Sequence, residues 1–314
     1  MGKHVIAVPD GGMRERLSAV DSSATYIVWE AGGEQPPTTP DLLVLPYLIT
    51  ADYLSRLDGA GVALVQSQML GFDGIASYLP PGVTYCNAVG VHEASTAELA
   101  LALVLAAQRG IPEALSDQSD GLWNHVRTPG LAGKSVVLVG VGGVGRAITT
   151  RLAPFDPELH RFARTERTDE FGLVQPMGKL PDALASADIV ILAMPLDDTT
   201  RGLADAAFLA RMKDGALLVN VSRGPVVVTD DLVRETSEGR LRAALDVVDP
   251  EPLPVGHPLW ASPGVIITPH GGGDTDAMTA RIDRVVLEQS RRLAAGEPPA
   301  NAVLGPGAEH ARRA

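Results

Sequence analysis

Three side chains in the last third of the chain have the types and placement needed for acid–base chemistry on a carbonyl. Arg223 follows the apolar run Leu217-Leu218-Val219-Asn220-Val221, and His270 follows Val265-Ile266-Ile267-Thr268-Pro269. Glu251 comes after Leu245-Asp246-Val247-Val248-Asp249-Pro250. A guanidinium fork suits a carboxylate or an adjacent carbonyl. An imidazole delivers a proton near neutral pH. A carboxylate beside it can pair with the ring and orient it. Together they suit hydride reduction of a 2-keto acid. Singly each is ordinary, since an arginine after a strand is usually surface and a histidine among glycines is usually structural. The case rests on all three leaving strand ends of one sheet, where open α/β sheets bind ligands.

The same sheet begins with a candidate site for the hydride donor. Val136-Val137-Leu138-Val139 runs into Gly140-Val141-Gly142-Gly143-Val144-Gly145, and a helical segment follows over 146–152. In this strand–turn–helix setting Gly140 permits the turn, Gly142 admits a pyrophosphate and Gly145 lets helix and strand pack closely. Free N–H groups at the helix start face the anion. The bland alternative is a glycine-rich loop without a ligand. At the end of the next strand, Ala163 stands where an acid for the ribose 2′-OH is expected, and Arg164 and Arg167 offer cations for a 2′-phosphate. NADP(H) is therefore the favoured cofactor. NAD(H) is the alternative, with the arginines in solvent and Glu166 on the ribose.

These groups need a scaffold of alternating strands and helices. Apolar runs at 4–8, 25–29, 42–45, 62–65 and 83–86 form one set, and 135–139, 159–163, 189–193, 216–221, 243–247 and 265–268 a second. Such alternation implies βαβ units and parallel sheets. Between the sets, 95–109 is apolar nearly all round and reads as a buried helix, with Ser95 and Glu98 as a capping box. A second long helix is expected over 275–295, stopped by Gly296 and Pro298. The fold class is α/β, with two doubly wound parallel-sheet domains. A Rossmann cofactor domain (93–274) is inserted into a flavodoxin-like substrate domain (1–92 with 275–314).

Bulk properties narrow the partners. The 314-residue chain carries a net charge of −12, which disfavours nucleic acid and anionic membrane surfaces. A small anionic substrate then needs a local cationic pocket. The single cysteine, Cys86, forms no intrachain disulfide and reads as a small hydrophobe in a strand. The first residues lack a signal-peptide pattern and no apolar stretch approaches about 18 residues, so a cytoplasmic location is expected. Arg291-Arg292 and Arg312-Arg313 read as solvated pairs.

The motifs now converge. Gly140–Gly145, Val219-Asn220-Val221-Ser222-Arg223-Gly224, Leu245-Asp246-Val247 with Pro250-Glu251-Pro252-Leu253, and Thr268-Pro269-His270-Gly271-Gly272 resemble the D-isomer-specific 2-hydroxyacid dehydrogenases. So does Gly90-Val91-His92-Glu93-Ala94-Ser95-Thr96-Ala97-Glu98-Leu99-Ala100-Leu101. The resemblance implies a homodimer joined mainly through the cofactor domains, with the active site in the interdomain cleft. It implies that Arg223 binds the keto-acid carboxylate and carbonyl, that His270 is the acid/base and that Glu251 is its partner. Asp246 would meet the nicotinamide carboxamide, Gly143 and Val144 would line the pyrophosphate, and Pro195 and Thr200 would flank the cofactor. Thr165, Val221, Gly272 and Gly273 would complete the cofactor contacts. Leu70-Gly71 resembles the family's backbone clamp for the substrate carboxylate, and Arg164 resembles the NADP-using glyoxylate and hydroxypyruvate reductases. Two departures bear on substrate preference: Ser222 replaces the usual Ala, and Gly271 replaces the usual Ile and is expected to loosen the loop carrying His270. His92 is a weaker contender for proton transfer, and Leu45, Tyr47, Met69 and Trp260 are candidates for the pocket wall. A competing reading is a non-catalytic NAD(P)-sensing binding module or corepressor on the same fold.

Overall fold

The computed structural model describes residues 3–34, 36 and 38–311. Arg312 and Arg313 lie outside the described residues. Backbone packing divides the chain into two compact units, Met1–His92 with Asp276–Ala314, and Glu93–Thr275. The second unit ends at Thr275, one residue beyond the expected boundary, and the Thr275 hydroxyl is hydrogen-bonded to that of Ser95 at 2.9 Å.

The first unit opens with β1 (His4–Val8), β2 (Ala24–Val28), β3 (Leu42–Val44), β4 (Leu64–Gln66) and β5 (Thr84–Cys86). The second contains β6 (Ser135–Val139), β7 (Glu158–Ala163), β8 (Arg167–Asp169), β9 (Gly172–Pro176), β10 (Ile189–Leu192), β11 (Leu217–Asn220), β12 (Arg242–Leu245) and β13 (Val265–Ile267). The chain then returns to the first unit with β14 (Ala302–Leu304).

The first sheet has the order β14-β5-β4-β3-β1-β2, with only β14 antiparallel to its neighbour. Its parallel part is the flavodoxin-like order, with the switch between β1 and β3. Ile6, Ala7 and Val8 are fully buried, as are Leu42, Leu43 and Val44, because apolar side chains leave both faces of these strands. Helix Ala277–Ala295 covers one face through Met278, Ile282, Val286 and Gln289, a helical spacing. It ends at Gly296, whose φ of 66° supplies the left-handed C-cap. Its start is two residues later than expected. Cys86 sits in this core, and burial pushes its thiol up to about 12.

The second sheet runs β13-β12-β11-β10-β6-β7-β9-β8, the Rossmann order with one further strand beyond β12. Only the β8–β9 pair is antiparallel. The sheets are thus mixed rather than wholly parallel. Sequence reading missed β8, β9 and β14: β8 and β14 have three residues each, β8 (Arg167-Thr168-Asp169) is polar, and β9 is bounded by Gly172 and Pro176. Helix Glu93–Gln108 packs Ala97, Ala100, Leu103 and Val104 into a core with Leu138, Ile148 and Leu152. It begins two residues before the expected cap. Ser95 is therefore inside the helix, buried, and bonded to Thr275 instead of capping. No single helix among the described residues is long and apolar enough to cross a membrane.

One carboxylate ties the first unit together. Asp21 accepts from Ser23 N (2.8 Å), Ser23 Oγ (2.5 Å), Tyr26 Oη (2.7 Å) and Ser290 Oγ (2.6 Å), joining a helix end, β2 and helix Ala277–Ala295. Burial alone would raise its pKa, but these donors outweigh it and hold the carboxyl well below the usual range. Its stabilising effect is therefore full above an unfolded-state pKa of about 3.9 and is lost as pH falls through the lower folded value. We predict that Asp21→Ala costs about 1–3 kcal/mol at pH 7. In urea melts this cost should shrink as pH is lowered below about 4; a pH-independent difference would contradict the reading.

Candidate active site

At the end of β6 the chain turns at Gly140, whose φ is 99°. A Cβ there would lie 2.6 Å from the Ala193 carbonyl, and one at Gly145 would lie 2.0 Å from the Gly140 oxygen. Neither position accepts a side chain. A Cβ at Gly142 would meet only open space. Helix Gly143–Leu152 starts there with no side-chain cap, so its first-turn N–H groups are presented without a side-chain acceptor. The cradle fits an anionic pyrophosphate. Val144 is half-buried and Val221 buried. Pro195 is exposed, and its carbonyl accepts from Thr200 Oγ1 at 2.8 Å. Among the described residues, no group of three His, Cys, Asp or Glu could hold a metal ion.

Beyond β7, Arg164, Thr165 and Arg167 are all exposed. The Glu166 carboxylate is taken by Lys179 Nζ at 3.3 Å, and Arg167 Nη1 reaches Thr165 O at 3.5 Å. Sequence reading overlooked the anchor of this edge. Arg161 is buried in β7 and binds both Asp169 oxygens, at 2.9 and 2.7 Å. Its hydrogen bonds hold the Asp169 carboxyl below the ordinary range. The guanidinium groups of Arg161 (5.5 Å) and Arg146 (5.7 Å) both lie over the Phe171 ring. The signal in the sequence was a charged residue in the middle of a strand, between His160 and Phe162.

Arg223, Glu251 and His270, the three candidate groups, follow adjacent strands, in the order β11, β12, β13. Arg223 is half-buried and its Nη1 donates to Ser222 O at 2.6 Å. Its turn is shaped by Asn220, whose Oδ1 accepts from Ser222 N (3.0 Å) and Ser222 Oγ (2.6 Å) while Nδ2 donates to Arg223 O (3.0 Å). The serine at 222 thus adds a hydrogen bond to the turn. A Cβ at Gly224 would fall 1.8 Å from Val248 O, so the turn after β11 packs directly on the segment leading to Glu251. The His270 and Glu251 side chains meet, with Nδ1 and Oε1 2.5 Å apart. Both are partly open to solvent, at 48% and 39%. With Nδ1 facing the carboxylate, Nε2 is the ring nitrogen left for a ligand.

His270 has a φ of 52°, rare for a residue with a Cβ. The buried Asp246 holds it there. His270 N donates to Asp246 O at 2.9 Å, and the Asp246 carboxylate accepts from Thr268 Oγ1 (2.6 Å), Gly271 N (3.0 Å) and Gly272 N (3.0 Å). This is a task beyond the carboxamide contact implied by resemblance. One of these donors is the N–H of Gly271, the residue expected to loosen this loop. Gly273 is half-buried beside it.

In the first unit, Leu70 and Gly71 are half-buried in the segment after β4. His92 is buried against Gln68 O at 2.6 Å and stacks on Tyr47, with ring centroids 6.1 Å apart. Leu45 is fully buried and belongs to the core rather than to a pocket wall. Met69 is half-buried, whereas Trp260 is exposed and donates to Pro254 O at 3.0 Å.

A Rossmann sheet that ends in a histidine–carboxylate pair defines a dinucleotide-dependent oxidoreductase. Comparison with known proteins makes this specific. A family model described as D-isomer specific 2-hydroxyacid dehydrogenase, NAD binding domain, matches residues 101–272. A glyoxylate reductase from Thermofilum pendens is 34% identical over 312 residues, 93% of this chain and 91% of that one. The glyoxylate reductase/hydroxypyruvate reductase of Homo sapiens is 34% identical over 227 residues, 69% of each chain. A crystal structure of a D-isomer specific 2-hydroxyacid dehydrogenase from Xanthobacter autotrophicus Py2, in complex with NADPH and MES, matches with a TM-score of 0.82. It is 29% identical, covering 96% of this chain and 98% of that one. The chain belongs to the D-isomer specific 2-hydroxyacid dehydrogenase family and is an NAD(P)-dependent oxidoreductase of 2-hydroxy acids.

The pinning by Asp246 can be tested apart from catalysis. Asp246→Ala leaves a hydroxyl and two N–H groups without their acceptor. It should lower the unfolding free energy by about 1–3 kcal/mol and speed amide exchange at Gly271 and Gly272. Unchanged exchange at both glycines would refute the anchor.

Proposed function

We propose that this enzyme reduces glyoxylate or hydroxypyruvate to the D-2-hydroxy acid with NADPH, using Arg223, Glu251 and His270. The observation that carries the reading is the 2.5 Å contact between His270 and Glu251, one strand away from the Arg223 turn in the sheet that opens with the glycine cradle. When bound, the nicotinamide cofactor supplies the hydride for the carbonyl carbon. Arg223 holds the carboxylate and polarises the carbonyl, which favours charge developing on oxygen. Glu251 fixes the ring through Nδ1, so Nε2 delivers the proton to that oxygen. In the reverse direction the same nitrogen takes the proton. Leu70 and Gly71 offer backbone N–H groups to a carboxylate.

The dinucleotide is assigned to the cradle of Gly140, Gly142, Gly143, Val144 and Gly145, with Pro195, Thr200, Val221, Gly272 and Gly273 beside it. Preference for NADPH rests on the exposed Arg164, Thr165 and Arg167, and on Glu166 being engaged by Lys179. The relative bound to NADPH supports the same choice. A homodimer is proposed on the segment after helix Glu93–Gln108, where Leu115, Leu122, Val126 and the 99% exposed Trp123 leave apolar surface without cover. Sedimentation equilibrium should report twice the chain mass.

NADPH oxidation followed at 340 nm with glyoxylate, hydroxypyruvate and bulkier 2-keto acids tests the function. The smaller acids should turn over best, with kcat/KM at least about tenfold higher for NADPH than for NADH, the factor worth about 1.4 kcal/mol. His270→Ala should lower kcat by roughly 10²–10⁴. Arg223→Ala should raise KM and lower kcat together. Absence of turnover with every acid would favour a cofactor-sensing binding module instead.

A further inference from the structure

The loop after β4 is braced by two side chains that the reaction does not use. It runs Ser67-Gln68-Met69-Leu70-Gly71, and three successive carbonyls are held by the segment that follows β5. His92 Nε2 meets Gln68 O at 2.6 Å, Ala88 N donates to Met69 O at 2.9 Å, and Asn87 Nδ2 donates to Leu70 O at 2.8 Å. The Met69 N–H is taken by Ser67 Oγ at 3.0 Å. Gln68 Nε2 donates to Leu45 O at 2.8 Å, which ties the loop to the end of β3.

A peptide unit is planar and trans, so a carbonyl fixed on one side fixes the direction of the N–H on the other. Holding Met69 O aims the Leu70 N–H, and holding Leu70 O aims the Gly71 N–H. Among the described residues, neither N–H donates to a protein group. Successive N–H groups turned the same way form an anion-binding concavity. Asn87 and His92 are buried, and each spends a donor on this loop.

We infer that Asn87, seconded by His92, is a positioning residue that keeps the Leu70–Gly71 peptide turned with its N–H toward the substrate carboxylate. The inference rests on the assignment of Leu70 and Gly71 to carboxylate binding. Asn87 acts on the second N–H directly. His92 fixes the Gln68–Met69 peptide, two units before Leu70–Gly71, and its ring packs on Tyr47. Neither touches the reacting atoms, so both should be felt in substrate KM rather than in kcat or cofactor affinity.

Asn87→Asp keeps the side-chain shape but replaces the donor with an acceptor that repels Leu70 O. It should raise the KM for glyoxylate at least about tenfold, with kcat within about threefold and the KM for NADPH unchanged. His92→Phe keeps a ring against Tyr47 but removes the donor and should also raise the glyoxylate KM, whereas His92→Gln, which retains a donor, should restore it. A wild-type glyoxylate KM in Asn87→Asp overturns the inference. If that variant does not fold, equal KM values for His92→Phe and His92→Gln overturn it. Amide exchange of the wild-type protein with NADPH and the unreactive keto-acid mimic oxamate separates the two readings. Protection at Leu70 and Gly71 supports the carboxylate assignment on which the inference rests. No protection there removes that assignment, and the bracing role with it, whatever the variants show.

Discussion

The contact between the His270 imidazole and the Glu251 carboxylate requires that two loops leaving β12 and β13 end in register, and the backbone gives way to allow it. His270 adopts a left-handed conformation, which costs an L-residue roughly 1–2 kcal/mol. The Asp246 carboxylate accepts three donors from 268–272, and hydrogen bonds to a charged group contribute about 1.5–3 kcal/mol each. That comfortably offsets the strain. Because Asp246 is buried at the end of β12, the geometry at His270 is tied to the rigid sheet rather than to the exposed loop.

Close backbone approach is the second device in this unit. Gly224 lies so near Val248 O that no side chain could stand between them, and Gly145 stands in the same relation to Gly140 O. The first contact sets the spacing between the Arg223 turn and the chain leading to Glu251. The second seats a helix N-terminus over a strand end. Both replace side-chain packing with atomic contact, and such contacts have little freedom to drift.

At the far edge of the Rossmann sheet, a buried ion pair does comparable work on more polar material. Arg161 and Asp169 join β7 to the β8–β9 hairpin, and two guanidinium groups lie over the Phe171 ring. A buried pair adds little net stability once desolvation is counted, but its fork geometry allows only one arrangement of the hairpin. The exposed arginines at 164 and 167 are mounted on that arrangement.

Much of this was legible in the residues alone. Runs such as Val136–Val139 and Leu217–Asn220 are apolar on every side and mark buried parallel strands, and the glycine spacing after β6 identifies the cradle. Arg223, Glu251 and His270 stood out because each follows such a run. The short hairpin β8–β9 and the start of helix Glu93–Gln108 were not legible. The hairpin lacks an apolar period, and the helix start was misplaced because Ser95, a plausible cap, is instead bonded to Thr275. Local pattern thus determined most of the elements and singled out the candidate side chains, because burial and turn chemistry are written in neighbouring residues. Which carboxylate would brace His270 from below, which carbonyls Asn87 and His92 would hold, and which acid Arg161 would seek were decided only by the tertiary fold. Those partners are far apart in the chain, and a hydrogen bond depends on distance in space rather than on spacing in sequence.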